Sequence, residues 1–373
     1  MKALAITNIG IEDVASREVM EILGVEPSVR KGCVLFGVKD AVDLCKLCYK
    51  AQSLSRVILL LGMFNFKGNP FEHLKNELRN TGIEEWIKCK TKFVVRCKRI
   101  GKHTFSSKDI ERLAGQLIIE KTEASVELNE PEVIFFIYIN DDTCYFGIDF
   151  SGHDLSKRDY KIFSTPMSLK GTIAYAVVRI ANFDKGVMLD PFMHDGSIVI
   201  ESALFFSGVS PHYYKKDKFA FLRIPGLGNF DSFFESLDKR KNFDVKIYAS
   251  TNSFNHLTSA KKNAKIAGVH KLIRFSRVDT EWLDTKYGKE SVDCIVTLVP
   301  GCGKHANKKE VTKQYQDLFY NSGYILRESG KVVTISQTTE LLKEQAERYK
   351  FRVAAERDVM QGEAKFTITT FCL

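Results

Sequence analysis

The sequence predicts an α/β protein in which a C-terminal doubly wound parallel sheet follows smaller N-terminal α+β units. After about residue 165, short apolar runs alternate with amphipathic stretches, a spacing that suits right-handed strand–helix–strand crossovers. Before that point, strand and helix signals are mixed and include a hairpin. A length of 373 residues is too great for one ordinary domain and suits two or three, and 44% apolar residues suffice to fill their cores.

The elements follow in order. Residues 1 to about 50 read as strand Lys2 to Ile6, helix Ile11 to Leu23, strand Gly32 to Phe36 and helix Lys39 to Ala51. Pro70 to Leu78 carries Phe71, Leu74 and Leu78 at helical spacing, and Lys92 to Arg99 alternates as a half-buried strand does. Ser106-Ser-Lys-Asp109 has capping-box spacing ahead of the apolar positions Ile110, Leu113, Leu117 and Ile118. Val133 to Tyr138 and Cys144 to Ile148 form the hairpin. The later alternation runs through helix Leu169 to Asn182, strand Val187 to Leu189, helix Ser197 to Phe206, strand Val245 to Ala249, helix Phe254 to Ala267 and strand Ile273 to Val278. It continues with strand Asp293 to Val299, helix Val311 to Glu328, strand Lys331 to Ser336, helix Thr339 to Tyr349 and an apolar end from Phe366 to Leu373. A Lys- and Phe-rich insertion, Gly208 to Asn242, interrupts this rhythm.

No run of about 18 apolar residues and no leader pattern is present, so no membrane partner is expected and the location reads as cytoplasmic. Nine cysteines without regular spacing agree. Cys45 and Cys48 lie on a helical apolar pattern and read as core residues, and no metal is expected. The net charge of +9 is unevenly spread: Lys88 to Lys108 holds eight Lys or Arg and no acid, whereas Asp109 to Asp149 holds ten acids against Arg112 and Lys121. The first stretch is a cationic surface, either a solvated face or a grip for phosphates.

Val187-Met-Leu-Asp-Pro-Phe-Met-His-Asp-Gly-Ser-Ile-Val-Ile-Glu201 reads as a strand, a tight turn and a helix start. In an open parallel sheet, ligands settle beyond the carboxyl ends of the strands. Unpaired amides at a helix start favour a polar or negative group, and Asp190 at the strand end can accept bonds from an amine. An ordinary strand–helix corner is the competing reading of this turn taken alone.

The segment Asp190 to Glu201 resembles the D-P-F-C-G-S-G-T-I-x-I-E signature of S-adenosylmethionine-dependent RNA methyltransferases with a Rossmann-like fold. Leu155-Ser-Lys-Arg-Asp-Tyr-Lys161, Pro166 to Thr172, His256 to Val269 and Gln361-Gly362 resemble further motifs of that family. Arg99-Ile-Gly-Lys-His-Thr-Phe-Ser-Ser-Lys-Asp109, Ala114-Gly115 and Val126 to Pro131 resemble the THUMP domain. The resemblance therefore covers nearly the whole chain, and points to THUMP-containing tRNA methyltransferases that act on the exocyclic 2-amino group of guanosine. It implies a ferredoxin-like unit over residues 1–55, a THUMP domain over 56–152 and a Rossmann-like methyltransferase domain over 153–373. It implies S-adenosylmethionine held by Asp190, Phe192, Gly196, Thr251 and Asp279, with the target base beside Leu298 and Pro300. It also implies a tRNA partner gripped at its acceptor end, through Lys98, Arg99, Lys102, His103, Ser106, Lys108, Arg158 and Lys161.

The sequence departs from the family pattern at several of these positions. His194 and Asp195 replace Gly and Ser in the turn, where a Cβ hinders close backbone approach. Thr251 replaces the acid that holds the ribose hydroxyls, which removes a charge-assisted hydrogen bond worth ~1.5 to 3 kcal/mol. Leu298-Val-Pro-Gly301 replaces N-L-P-Y, so Leu298 has no side-chain acceptor and Gly301 no ring to stack on a base, a loss of ~1 to 3 kcal/mol. Cys302 beside Lys304 and His305 reads either as a plain loop cysteine or as an activated thiol. Two functions are compatible with these departures: a methyltransferase with a divergent pocket, or a tRNA-binding paralogue with a decayed pocket that assists a protein partner.

Overall fold

A computed structural model describes residues 1–301 and 307–373. The chain forms two compact units, one of residues 1–7, 15–155 and 214–237, the other of residues 8–14, 156–213 and 238–373.

The first unit is built on β1 (Lys2–Thr7), α1 (Glu12–Leu23), β2 (Ser28–Arg30), β3 (Cys33–Gly37), α2 (Ala41–Lys50), β4 (Leu54–Asn65), α3 (Phe71–Asn80), β5 (Lys92–Ile100), α4 (Ser107–Thr122), β6 (Ser125–Val126), β7 (Val133–Asn140) and β8 (Thr143–Asp149). Its eight strands make one sheet in the order β2-β3-β1-β4-β8-β7-β5-β6. β4 joins the halves by pairing with β1 on one side and β8 on the other, so the sheet runs unbroken past residue 55. Gly147 is what lets β8 lie this close to β4, because a Cβ there would come 1.9 Å from the Leu59 carbonyl oxygen. β4 was not foreseen; its near-continuous apolar run reflects burial on both faces rather than alternation. The capping box forms as expected: Asp109 N–H donates to Ser106 Oγ (3.2 Å) and Ser106 N–H to Asp109 Oδ2 (2.9 Å). Cys45 and Cys48 are buried in the core, and desolvation raises both thiol pKa values.

The Phe-rich part of the insertion belongs to this unit. Phe219, Phe221 and Phe234 are buried, and Tyr49 meets Phe234 edge-on at a ring separation of 4.9 Å. The phenylalanines are thus core residues of the first sheet.

The second unit contains α5 (Gly171–Ile180), β9 (Gly186–Asp190), α6 (Ser197–Ser207), β10 (Val245–Thr251), α8 (Phe254–Ile266), β11 (Ile273–Arg277), α9 (Leu283–Lys286), β12 (Val292–Leu298), α10 (Lys308–Ile325), β13 (Leu326–Ser336), α11 (Glu340–Arg348), β14 (Arg352–Gln361) and β15 (Ala364–Cys372); α7 (Phe233–Leu237) ends the insertion. The strand order is β11-β10-β9-β12-β13-β15-β14, parallel from β11 to β13, with β15 antiparallel to both its neighbours. The winding reverses between β9 and β12, which places a crevice at their carboxyl ends. The expected Rossmann-like sheet is present. The additional strand is β14, whose mostly exposed Arg352-Val-Ala-Ala-Glu-Arg-Asp has no apolar face and whose charges suit an edge. No described helix is long and apolar enough to cross a membrane.

Candidate functional site

β9 ends at Asp190, which is buried, and the chain then turns sharply into α6. Asp190 Oδ1 accepts hydrogen bonds from Thr297 Oγ1 (2.6 Å) and the Phe192 N–H (3.2 Å), which ties the ends of β9 and β12 together. Burial pushes its carboxyl pKa up to about 7. Gly196 has φ +84° and packs so close to α8 that a Cβ would come 3.0 Å from Ala260 Cβ. The Phe192 ring is buried in an apolar cluster with Leu189, Tyr287 and Val299.

His194 adopts a left-handed φ of +44°, a conformation costly for a residue with a Cβ. Its ring is tied down, because His194 Nε2 lies 2.8 Å from the Leu298 carbonyl oxygen. That oxygen only accepts, so Nε2 carries the proton. Burial lowers its pKa to about 4, which keeps the ring neutral near pH 7. Asp195 is buried and caps the start of α6: its Oδ1 accepts from Ser197 N–H (3.1 Å) and Oγ (2.7 Å), and its Oδ2 from Ser168 Oγ (2.5 Å). One of the helix-start amides expected to face a ligand is therefore already used.

At the end of β10, the buried Thr251 accepts from the Ser253 N–H through Oγ1 (3.2 Å), so its hydroxyl proton remains a donor. Asp279 lies beyond β11 and accepts from Asn252 Nδ2 through Oδ2 (2.9 Å). The structure thus puts an amide beside the retained acid; Asn252 was not singled out in the sequence, although it directly follows the substituted Thr251. At the end of β12, Leu298 is buried, and the Pro300 carbonyl accepts a hydrogen bond from the Tyr315 hydroxyl. Among the described residues, a Cβ at Gly301 would come nearest to Met167 Cε, at 3.7 Å. Cys302, with Lys304 and His305, lies outside the described residues.

Two residues expected to touch RNA do something else. The Arg158 side chain is fully buried and forms a bidentate pair with Glu201, Nε to Oε1 at 2.8 Å and Nη2 to Oε2 at 3.1 Å, with Tyr160 also donating to Oε1 (2.8 Å). Lys161 donates to the Leu169 carbonyl and lies 3.6 Å from Asp195 Oδ2. Burial lowers its pKa. Both cations are engaged inside the second unit: Arg158 is fully buried, and Lys161 keeps only 17% of its side chain exposed.

The other basic positions lie on and after β5. Lys98 is exposed and lines a cavity of about 390 Å³ with Arg56, Arg96 and Arg223, together with two acids, Glu111 of α4 and Asp154. Arg96 donates to the Leu128 carbonyl (3.0 Å), Arg223 to the Pro131 carbonyl (2.9 Å), and Arg56 pairs with Asp149. Sequence reading missed Arg56 and Arg223 because they come from distant segments. Arg99 turns to the other face, with its guanidinium 5.3 Å from the Phe105 ring and Nε 3.2 Å from Ser107 Oγ. His103 Nε2 meets the Asp141 carbonyl (2.8 Å), Ser106 caps α4, and Lys102 and Lys108 are exposed.

Known proteins share this fold. A tRNA (guanine(6)-N2)-methyltransferase of Methanocaldococcus jannaschii is 29% identical over 365 residues, covering 95% of each chain. Another of the same name from Archaeoglobus fulgidus is 28% identical over 380 residues, covering 98% of this chain and 90% of its own. The crystal structure of TrmN from Thermus thermophilus superposes with a TM-score of 0.72 at 22% identity, over 99% of this chain and 98% of its own. That of SMU.472 complexed with SAH gives 0.81 at 20% identity, over 100% and 97%. Residues 69–149 match the THUMP domain, and residues 158–366, more than half of the chain, match the RMKL-like methyltransferase domain. The protein therefore belongs to the RMKL-like methyltransferase family and carries a THUMP domain ahead of the methyltransferase fold.

Proposed function

We propose that this protein methylates the exocyclic 2-amino group of a guanosine in tRNA, using S-adenosylmethionine. The observation that carries this is similarity along nearly the whole chain to two tRNA (guanine(6)-N2)-methyltransferases, with the two matched domains in order. It favours the enzyme over a retained tRNA-binding scaffold. The substrate sets the location as the cytoplasm, and the acceptor end is the part of tRNA that the first unit would hold.

The residues at the strand ends fit the methyl donor by their chemistry. Asp190 Oδ2, with no hydrogen-bond partner among the described residues, suits its ammonium group. The Thr251 hydroxyl and the Asn252–Asp279 pair supply neutral and charged partners for ribose and adenine. The His194 ring is held against the end of β12 through the Leu298 carbonyl. When bound, S-adenosylmethionine supplies an electrophilic methyl group.

The chain's own residues then position the base. The Leu298 side chain offers no acceptor, so aim falls on the main chain: the Pro300 carbonyl is oriented by Tyr315 and keeps a second lone pair for the incoming amine. Gly301 leaves the base without a stacking ring, which predicts weaker base capture and a greater share of binding energy from phosphate contacts. In the first unit, Arg56, Arg96, Lys98 and Arg223 supply such contacts, with the exposed Lys102 and Lys108 nearby in sequence. Incubating the purified chain with tRNA transcript and S-adenosylmethionine, followed by nucleoside mass spectrometry, tests the reading. N2-methylguanosine is expected, and unmodified transcript would contradict it.

A further inference from the structure

The second unit has a cavity of about 620 Å³ that the methyltransferase reading does not use. It lies where β10 and β11 begin, the opposite end of the sheet from Asp190, Thr251 and Asp279. Five basic side chains line it: Arg240, Lys241, Lys246, Lys271 and Arg274. All five residues are exposed, and no Asp or Glu is among the lining residues. The nearest acid in sequence, Asp244, lies outside the lining.

None of the five makes an ion pair with a described residue; only Arg274 has a side-chain partner there, donating to the Tyr248 hydroxyl at 2.9 Å with its guanidinium 5.4 Å from that ring. Some other exposed cations of the unit are paired, as Lys313 is with Glu281 and Lys343 with Glu356. Five uncompensated charges around one hollow repel one another and destabilise the fold slightly unless an anion occupies it. Local packing also favours the arrangement. Gly208, at φ +68°, leaves room for the Lys241 stem, since a Cβ there would come 3.1 Å from Lys241 Cγ. Phe243 adds a half-buried aromatic surface to the wall.

We propose that this cavity is a second docking site for RNA phosphates, built into the methyltransferase unit and separate from the crevice where chemistry occurs. The proposal rests on the tRNA methyltransferase reading above. β10 runs from Val245, in the cavity wall, to Thr251 at its other end, roughly 20 Å of strand. A small phosphorylated metabolite cannot reach from one end to the other, whereas the backbone of a folded RNA can. Contacts of this kind fix register and orientation and read no sequence. They also suit an enzyme whose target-base cleft lacks its stacking ring.

The test uses the full-length protein with Lys241, Lys246 and Lys271 all changed to Glu, and measures tRNA affinity across a salt series. All three are exposed, and thermal unfolding checks that the variant is folded. At ~0.1 M salt the expected loss is at least ~10-fold, and the slope of log affinity against log salt falls by roughly 2 to 3 units. Unchanged affinity and slope in a folded variant, with wild-type protein binding tRNA, would overturn this proposal alone. Wild-type protein that ignores tRNA would overturn the methyltransferase reading with it. Calorimetry with inorganic pyrophosphate separates the sources: weak, millimolar binding supports an RNA backbone site, and micromolar binding with tRNA affinity unaffected by the substitutions assigns the cavity to a small ligand instead.

Discussion

The two ends of the C-terminal sheet treat charge in opposite ways. At the carboxyl end, each functional side chain is held by another group of the chain: Asp190 by Thr297, Asp195 by Ser168 and Ser197, Asp279 by Asn252, His194 by the Leu298 carbonyl. At the amino end, five cations share a cavity with no acid in its lining. Internal satisfaction gives a preorganised pocket whose polar atoms need not move to receive a ligand. Unsatisfied charge gives a surface whose energy is realised only on binding, and which salt can weaken. The difference separates the residues that place a reacting group from those that hold a large substrate.

The strongest way to break this contrast lies just behind the carboxyl end. Glu201→Ala removes the bidentate carboxylate partner of the fully buried Arg158 and is expected to cost ~3 to 5 kcal/mol in a denaturant titration. A loss below ~1 kcal/mol would show that the pair is hydrated and the internal satisfaction illusory. In the first unit, Arg96 and Lys98 line a cavity as the amino-end cations do, but Arg96 is also tied to the Leu128 carbonyl. Changing both to Glu is expected to lower tRNA affinity several-fold and reduce the salt slope by about 2. No change would restrict phosphate binding to the second unit.

A further expected effect concerns pH. Burial lowers the His194 pKa to about 4, whereas the unfolded ring titrates near ~6.5. As pH falls from ~6.5 to ~4, the unfolded chain takes up a proton that the fold refuses, so stability drops. Asp190 works in the opposite direction: its pKa is raised to about 7, so the fold keeps a proton that the unfolded chain releases above ~4. Its stabilising contribution is full below ~4 and fades as pH rises through 7. His194→Asn removes the first effect while tolerating the left-handed turn. The variant is therefore expected to lose less stability than wild type between pH 7 and pH 4.5 in thermal melts. Parallel pH profiles would mean that the ring is open to solvent.

Much of the architecture was legible because its signals are local. The Ser106 capping box, the β7–β8 hairpin and the β9–α6 corner each depend on a few adjacent residues, and each formed close to its expected bounds. β4 and β14 were not legible for opposite reasons: one is apolar on both faces, the other polar along an edge. At the site, strand-end positions could be placed by counting from the motifs. Arg158 and Lys161 could not, since a basic residue in sequence does not reveal whether its partner is a phosphate or a glutamate 43 positions away. Arg56 and Arg223 escaped because only the fold brings them beside Arg96 and Lys98.

The central claim is that a carboxyl-end pocket with Leu298 and Gly301 at its target-base positions still transfers a methyl group. Wild-type protein should place a methyl group on tRNA guanosine N2 when supplied with S-adenosylmethionine, detectable by mass spectrometry of the digested transcript. A transcript that stays unmethylated while bound to the protein would contradict it, and would leave a tRNA-holding scaffold in the enzyme's place.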